Sequence, residues 1–204
     1  MITLQAVVKI RSCEDFDLWP IAKLATSHLL PLNGTMDQDH LGAAITSIAA
    51  TNCPRDDAEQ ADDPRAAFLD GLFTTECLIT PGGLLVVDTV SNTTFAPSCC
   101  HWLDEWRDWL LAIDEGPVWL GHEPSSKVER HGETMRLTVN LEHDDPVIEL
   151  PVDELRRLLA QAERDLGDFL MLARSWATSH LPERVSDFTI AMAKALNVAP
   201  PTMA

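Results

Sequence analysis

The sequence predicts an α+β fold in which a mostly antiparallel sheet is packed by a Trp-rich helix, a long C-terminal helix and a final short helix. Two patterns lead to this class. Apolar residues alternate from Thr3 to Ile10, as in a half-buried strand, and recur at three- and four-residue steps from Pro151 to His180, as in an amphipathic helix. Hydrophobic residues make up 46% and charged residues 23% of the 204 residues, as in ordinary globular proteins.

The N-terminal part mixes clear and ambiguous elements. Residues 3–10 predict a first strand, whereas residues 16–30 combine helical spacing with a proline that restricts any helix. The short apolar run 43–51 is consistent with a strand. Residues 54–64 are acidic, lack an apolar face and predict an exposed loop, after which Pro64 begins a short helix that continues over residues 65–72.

The middle of the chain predicts a hairpin and a helix. Residues 76–88 read as a hairpin that turns at Thr80-Pro81-Gly82-Gly83, and residues 84–87 suit a central strand. Residues 99–113 predict a helix that Ser98 caps.

Three tryptophans define one face of that predicted helix. Trp102, Trp106 and Trp109 recur at helical spacing, which favours packing against a sheet over an exposed aromatic binding surface. Trp119 is expected to pack with them and to join the helix to the sheet.

The remainder predicts three strands and two helices. The strands cover residues 118–120, 134–141 and 147–150, with turns at 130–133 and 143–146. The long helix runs from about residue 151 to residue 180, and a last helix begins at Pro182. We expect one domain over residues 1–204, with residues 151–199 as its C-terminal helical part.

The net charge limits the class of partner. Asp and Glu number 32 and Lys and Arg 15, which gives a formal charge of −17. Such a charge repels nucleic acid and anionic membranes and attracts a basic protein. The acidic loop supplies the binding candidates Asp56, Asp57, Glu59, Asp62 and Asp63.

Cysteine usage and the N-terminus favour a cytoplasmic protein. The five cysteines are odd in number and contain no Cys-x-x-Cys pair, which is more typical of reduced thiols than of a disulfide framework. Residues 1–9 lack the layout of a signal peptide, and no run of 18 apolar residues occurs.

The first candidate for chemistry is Cys99-Cys100-His101. Two thiols at a predicted helix N-terminus lie where partial positive charge favours the thiolate, and His101 is adjacent to them. This pattern suits a nucleophilic or redox-sensing cysteine. The structural alternative is a pair of buried cysteines that pack as small apolar residues.

The second candidate is the segment Trp119-Leu120-Gly121-His122-Glu123-Pro124. Gly121 allows close backbone approach, and Trp119, His122 and Glu123 are candidate binding residues. Neighbouring residues on a strand point to opposite faces, and no His-Glu-x-x-His spacing occurs, so we predict no metal site and no cofactor. The structural alternative is a turn whose histidine bonds the backbone.

Residues 97–109 and 118–124 resemble a group of uncharacterised actinobacterial proteins. In that group a Trp-rich helix with a double cysteine precedes a Trp-Leu-Gly-His-acid-Pro turn. The resemblance covers roughly residues 76–180 and implies no activity. By class and charge alone, the chain is also similar to the immunity proteins that neutralise bacterial toxins.

These patterns favour a non-catalytic binding protein with an acidic surface, immunity-like in character, over an enzyme. Two alternatives stay open. One is a cysteine-dependent enzyme or redox-sensing protein that uses Cys99 and Cys100. The other is a homo-oligomer that pairs the apolar stripe from Leu155 to Ala177 with a second copy.

Overall fold

The α+β class is confirmed by a computed structural model, which describes residues 1–11, 16–53, 63–142 and 146–201. The strands there are β1 (Ile2–Lys9), β2 (Leu29–Pro31), β3 (Gly82–Asp88), β4 (Thr93–Phe95), β5 (Val118–His122), β6 (Ser125–His131), β7 (Thr134–Thr138) and β8 (Val147–Pro151). The α-helices are α1 (Gln38–Asn52), α2 (Pro64–Thr74), α3 (Asp108–Asp114), α4 (Val152–His180) and α5 (Val185–Ala195). Short 3-10 helices cover Leu103–Glu105 and Pro182–Arg184.

The strands form two four-stranded antiparallel sheets, with the orders β2-β1-β3-β4 and β5-β6-β7-β8. The chain divides into two compact units. Unit 1 comprises residues 1–7 and 82–164, and unit 2 comprises residues 8–81 and 165–204. The prediction of one domain over residues 1–204 stays a prediction.

Unit 1 contains the second sheet, whose register explains its core. Val128 on β6 faces Leu137 on β7, and Leu137 faces Ile148 on β8. Residues directly opposite in an antiparallel pair share a face of the sheet. All three side chains are buried, so this face is the apolar one.

The tryptophan face belongs to the core of unit 1. Trp106 and Trp109 are 1% and 2% exposed, and Trp109 packs edge-on against Phe95 with ring centroids 5.4 Å apart. The preference for core packing over an exposed binding surface is confirmed for these two residues. The predicted helix over 99–113 is wrong in extent, because regular α-helix begins only at Asp108, after the 3-10 turn.

Strand β6 is missing from the sequence prediction. Its buried positions are Ser126 and Val128, and they alternate with Lys127 and Glu129. A serine at an inward position and charged outward neighbours hide the alternation of apolar residues on which strand prediction depends. The predicted turn at residues 130–133 is correctly placed, since Gly132 there has φ +63° between β6 and β7.

Unit 2 contains the clearest error of the sequence prediction. The run 43–51, interpreted as a strand, lies inside α1, whose N-terminus is capped by the Asp37 carboxylate through the His40 N–H at 2.9 Å. Leu41 to Ala49 are buried without a break, so the helix has no solvent-exposed face in that stretch. A helix that is buried all round lacks the periodicity that would distinguish it from a buried strand.

The predicted hairpin turn at residues 80–83 is also wrong. Thr80 is buried and its hydroxyl donates to the Ala195 carbonyl at 2.6 Å, while Gly82 already begins β3. The observed hairpin joins β3 to β4. Its turn is held by the Asp88 carboxylate, which accepts from the Val90 N–H at 2.9 Å, and includes Asn92 at φ +56°.

The C-terminal helices are confirmed. The predicted long helix is α4, and the predicted last helix corresponds to the 3-10 turn at Pro182–Arg184 and α5. Trp176 of α4 stacks on His180 with centroids 4.3 Å apart and lies 5.6 Å from Phe188 of α5. Within the described residues, no helix is long and apolar enough to cross a membrane.

Candidate functional site

The double cysteine lies in an irregular segment, not at a helix N-terminus. Cys99 and Cys100 form a bend between β4 and the 3-10 helix, and α3 begins eight residues after Cys100. The helix-dipole argument for a thiolate is therefore wrong. The predicted cap is wrong as well, because the Ser98 hydroxyl donates to the Leu120 carbonyl of β5 and α3 begins ten residues later.

Gly121 brings this segment against β5. A Cβ atom at residue 121 would lie 1.8 Å from the Ser98 Oγ and 3.4 Å from the Cys100 N, and the glycine has φ +124°. Both the space and the backbone conformation exclude other residues without a shift of the chain. The close approach expected of Gly121 is confirmed, and the partner that approaches is the segment from Ser98 to Cys100.

An irregularity in β5 brings the rings of Trp119 and His122 together. The pairing of β5 with β6 slips between Trp119 and His122. Residues three apart on a regular strand point to opposite faces, but here the rings of Trp119 and His122 meet edge-on with centroids 4.4 Å apart. Trp119 is 46% exposed, so the expectation that it packs with Trp106 and Trp109 is wrong.

The structure gathers Cys99, Cys100 and His122 into one exposed cluster, called the dithiol site below. One ligand-type atom from each residue lies within 4.8 Å of the others. The two Sγ atoms are 2.8 Å apart. Both candidate cysteines of the first segment thus meet the imidazole of the second candidate segment, although His122 lies 22 positions after Cys100 in the sequence.

The two thiols have unequal acidity. The pKa of Cys99 is lowered, first by a hydrogen bond from the Cys100 thiol and then by the backbone N–H groups of His122 and Glu123. The pKa of Cys100 is raised, first because it shares that hydrogen bond with Cys99. The Glu123 carboxylate opposes ionisation of both thiols. Cys99 is therefore the thiol that ionises first and the better nucleophile at neutral pH.

A metal ion is a less suitable occupant of the dithiol site than the residue types suggest. Cys99, Cys100 and His122 offer two sulfur donors and one nitrogen donor. Two sulfurs on one tetrahedral zinc ion, at bonds of about 2.3 Å, lie roughly 3.8 Å apart. The observed separation of 2.8 Å is much shorter than that and does not match two sulfurs on one zinc ion. The sequence prediction of no metal and no cofactor stays a prediction.

His101 does not join the dithiol site. Its side chain is 12% exposed, and its Nε2 atom lies 3.5 Å from the Asp108 carboxylate at the start of α3. The imidazole lines a small, partly open cavity together with Trp109 and Ser126. Sequence reasoning places His101 beside the thiols because it is their neighbour in the chain, but its side chain lies on the interior side of the segment.

Most acidic binding candidates fall outside the described residues. Asp56, Asp57, Glu59 and Asp62 belong to residues 54–62, of which nothing is described. Asp63 is described, and its carboxylate caps α2 by accepting from the Arg65 and Ala66 N–H groups at 3.0 and 3.2 Å. This one candidate has a structural role as an N-cap.

Sequence reasoning does not find two residues that line the cavity behind the dithiol site, Ser98 and Ser126. The sequence predicts Ser98 as a helix cap and assigns no role to Ser126. Gly121 is the sequence feature that could have indicated the position of Ser98, because a glycine within a strand indicates that another part of the chain approaches closely.

Replacement of Gly121 tests how the dithiol site is assembled. We expect Gly121→Ala to displace the Ser98–Cys100 segment, since the added Cβ would lie 1.8 Å from the Ser98 Oγ. Cys99 would then lose its backbone donors, and its alkylation rate at pH 7 would fall. Gly116→Ala is the matched control, because Gly116 also has positive φ, at +141°, but has no atom within 4 Å of the added Cβ. Equal alkylation rates in the two variants would contradict this account.

The pH dependence of alkylation tests the acidity of the thiols. The rate rises with pH as thiolate forms. Cys99 should reach its half-maximal rate below the pH of an ordinary thiol, because hydrogen bonds lower its pKa. Cys53 should do so above that pH, because burial, followed by the charge of Asp70, raises its pKa. Mass spectrometry of peptides from a Cys100→Ser variant, which keeps a hydrogen-bond donor beside Cys99, separates the sites. A midpoint for Cys99 at or above that of Cys53 would refute the assignment.

Comparison with known proteins finds no relative of this chain. No protein-family model matches the chain. No curated protein and no solved structure matches it either. The chemistry of the dithiol site is therefore inferred from the positions of Cys99, Cys100 and His122.

Proposed function

We propose that the protein is a thiol-based redox-responsive protein whose Cys99 and Cys100 are oxidised reversibly to a disulfide. The observation that carries this proposal is the 2.8 Å separation of their Sγ atoms at an exposed site. It favours the redox alternative over the non-catalytic binding protein that the sequence ranks first. Redox-sensing cysteines are characteristically accessible, low in pKa and adjacent to a resolving thiol.

The proposed reaction is a two-electron oxidation by a peroxide. The Cys99 thiolate attacks one peroxide oxygen, so that an S–O bond forms, the O–O bond breaks and hydroxide leaves and takes up a proton. Cys100 then attacks the sulfenic acid of Cys99, an S–S bond forms, and water leaves. With hydrogen peroxide, the dithiol becomes a disulfide and two water molecules result.

The order of the two cysteines follows from their environments. Cys99 receives backbone hydrogen bonds from His122 and Glu123, whereas Cys100 receives one from His122 only, so we assign Cys99 as the attacking thiol and Cys100 as the resolving thiol. His122 lies within 4.8 Å of both sulfurs. An imidazole nitrogen can act as a general base, and His122 is placed to accept the proton that Cys100 loses in the second step.

Chain geometry supports reversibility. The Cα atoms of adjacent residues are about 3.8 Å apart, whereas most disulfides join Cα atoms that are at least about 4.4 Å apart. A bond between neighbouring cysteines is therefore strained and easily reduced. Such a bond is typical of a labile or regulatory disulfide and not of a structural one.

Treatment with hydrogen peroxide tests the proposal. We expect the native protein to lose two hydrogen atoms in mass, and dithiothreitol to restore them. Cys100→Ser should stop at a sulfenic acid on Cys99, which dimedone traps, because the resolving thiol is missing. Cys99→Ser should react at least about tenfold more slowly, since the low-pKa thiol is missing.

Cys77→Ser is the matched control, because Cys77 is also an exposed free thiol but is distant in sequence from the dithiol site. It should leave the mass change intact. The proposal fails if the intact protein forms no disulfide between residues 99 and 100. It also fails if dimedone traps a sulfenic acid on Cys100 of Cys99→Ser as fast as on Cys99 of Cys100→Ser.

A second proposal retains the acidic binding function. The formal charge of −17 favours a basic protein partner and disfavours nucleic acid. The odd number of cysteines, without a Cys-x-x-Cys pair, favours reduced thiols in the cytoplasm. Pairing of α4 with a second copy is less favoured, because Leu155, Leu159 and Ala177 are already buried within one chain. If no basic protein is retained by the immobilised chain at low salt and released at high salt, the binding proposal fails, whatever the outcome at the thiols.

A further inference from the structure

A small, partly open cavity lies behind the segment that carries the dithiol site. Its polar lining consists of the side chains of Ser98, His101 and Ser126, and the rest is mostly apolar, including Phe95 and Trp109. Two of the polar atoms, His101 Nε2 and Ser126 Oγ, are buried without a hydrogen-bond partner among the described residues. Ser126 is 1% exposed.

Unpaired polar atoms in such a place are costly. A buried donor or acceptor that is left unsatisfied loses its hydrogen bonds to water and gains none from the protein. Ser126 points inward from β6 at a position where a strand packed on the core would usually have an apolar residue. The hydroxyl and the imidazole line the same cavity, so one ligand can satisfy both.

The cavity has the size of one water molecule. It leaves about 10 Å³ for the centre of a water-sized sphere. A single buried water needs roughly 10–15 Å³ by this measure, together with two to four polar partners. Empty cavities, in contrast, are lined by apolar groups only.

We propose that the cavity is a binding site for one water molecule that bridges His101 Nε2 and Ser126 Oγ. Ser98 supplies a third partner, because its hydroxyl hydrogen is donated to the Leu120 carbonyl while its oxygen lone pairs can still accept. The Asp108 carboxylate lies 3.5 Å from the same His101 Nε2 atom, which is beyond the usual hydrogen-bond distance. The water links β6 to the segment that ends at His101.

This site is independent of the redox proposal. It depends on a cavity and two unpaired buried atoms, and none of its polar side chains belongs to the dithiol site. The water would fix the segment from Ser98 to His101 from the interior, whereas Gly121 admits that segment from the β5 side.

A crystal structure at about 1.5 Å resolution tests the proposal directly. We expect one peak of electron density within hydrogen-bond distance, about 2.7–3.2 Å, of both His101 Nε2 and Ser126 Oγ. A cavity without density would overturn the proposal. So would rotation of Ser126 to bond another protein group, since its hydroxyl would then need no water.

A double-mutant cycle supplies the second test, in the reduced full-length protein. Ser126→Ala should lower Tm by roughly 2–8 °C, because it removes one of the groups that bond the water shared with His101 Nε2. His101→Leu should also lower Tm, and the double variant should lose less than the sum of the two, because both changes disrupt one shared water.

Ser125→Ala is the matched control, since it changes a neighbouring serine of β6 that does not line the cavity. It should change Tm by less than Ser126→Ala and should combine additively with His101→Leu. Additive losses for Ser126→Ala with His101→Leu would refute a shared water.

Discussion

The close approach of the Ser98–Cys100 backbone to β5 is the constraint on which the candidate site depends. Gly121 makes this contact possible, because a Cβ atom there would lie 1.8 Å from the Ser98 Oγ. The Ser98 hydroxyl fixes the contact by donating to the Leu120 carbonyl. Everything at the site follows from this contact, since it presents the backbone N–H groups of His122 and Glu123 to the Cys99 sulfur.

The same residue type acquires opposite properties at two places in the chain. Burial raises the pKa of Cys53, whereas hydrogen bonds lower that of Cys99 at an exposed position. A strong negative charge would by itself disfavour a thiolate, and Glu123 acts in that direction. Directed hydrogen bonds over a few ångströms outweigh this more distant, solvent-screened repulsion at Cys99. The helix dipole, which sequence reasoning used, has no part in the result.

The outcome of prediction differs between elements for physical reasons. Helix α4 was found because one face packs and the other is solvated, so its apolar residues recur at a regular interval. Helix α1 was mistaken for a strand because burial on all sides removes that interval. Strand β6 was overlooked because Ser126 occupies an inward position. Ser126 and His101 line one cavity, which explains a serine at this inward position. No pattern in the local sequence indicates that cavity.

By itself, the sequence determined the α+β class, the two C-terminal helices, the burial of Trp106 and Trp109, and the two segments that contain the dithiol site. These properties depend on local periodicity and on residue type, which are written along the chain. Only the tertiary structure decided that Cys99 and Cys100 meet His122, that His101 turns inward and that Trp119 stays exposed. Each of these depends on contact between residues far apart in sequence, or on a slip in strand pairing, and neither leaves a periodic signal.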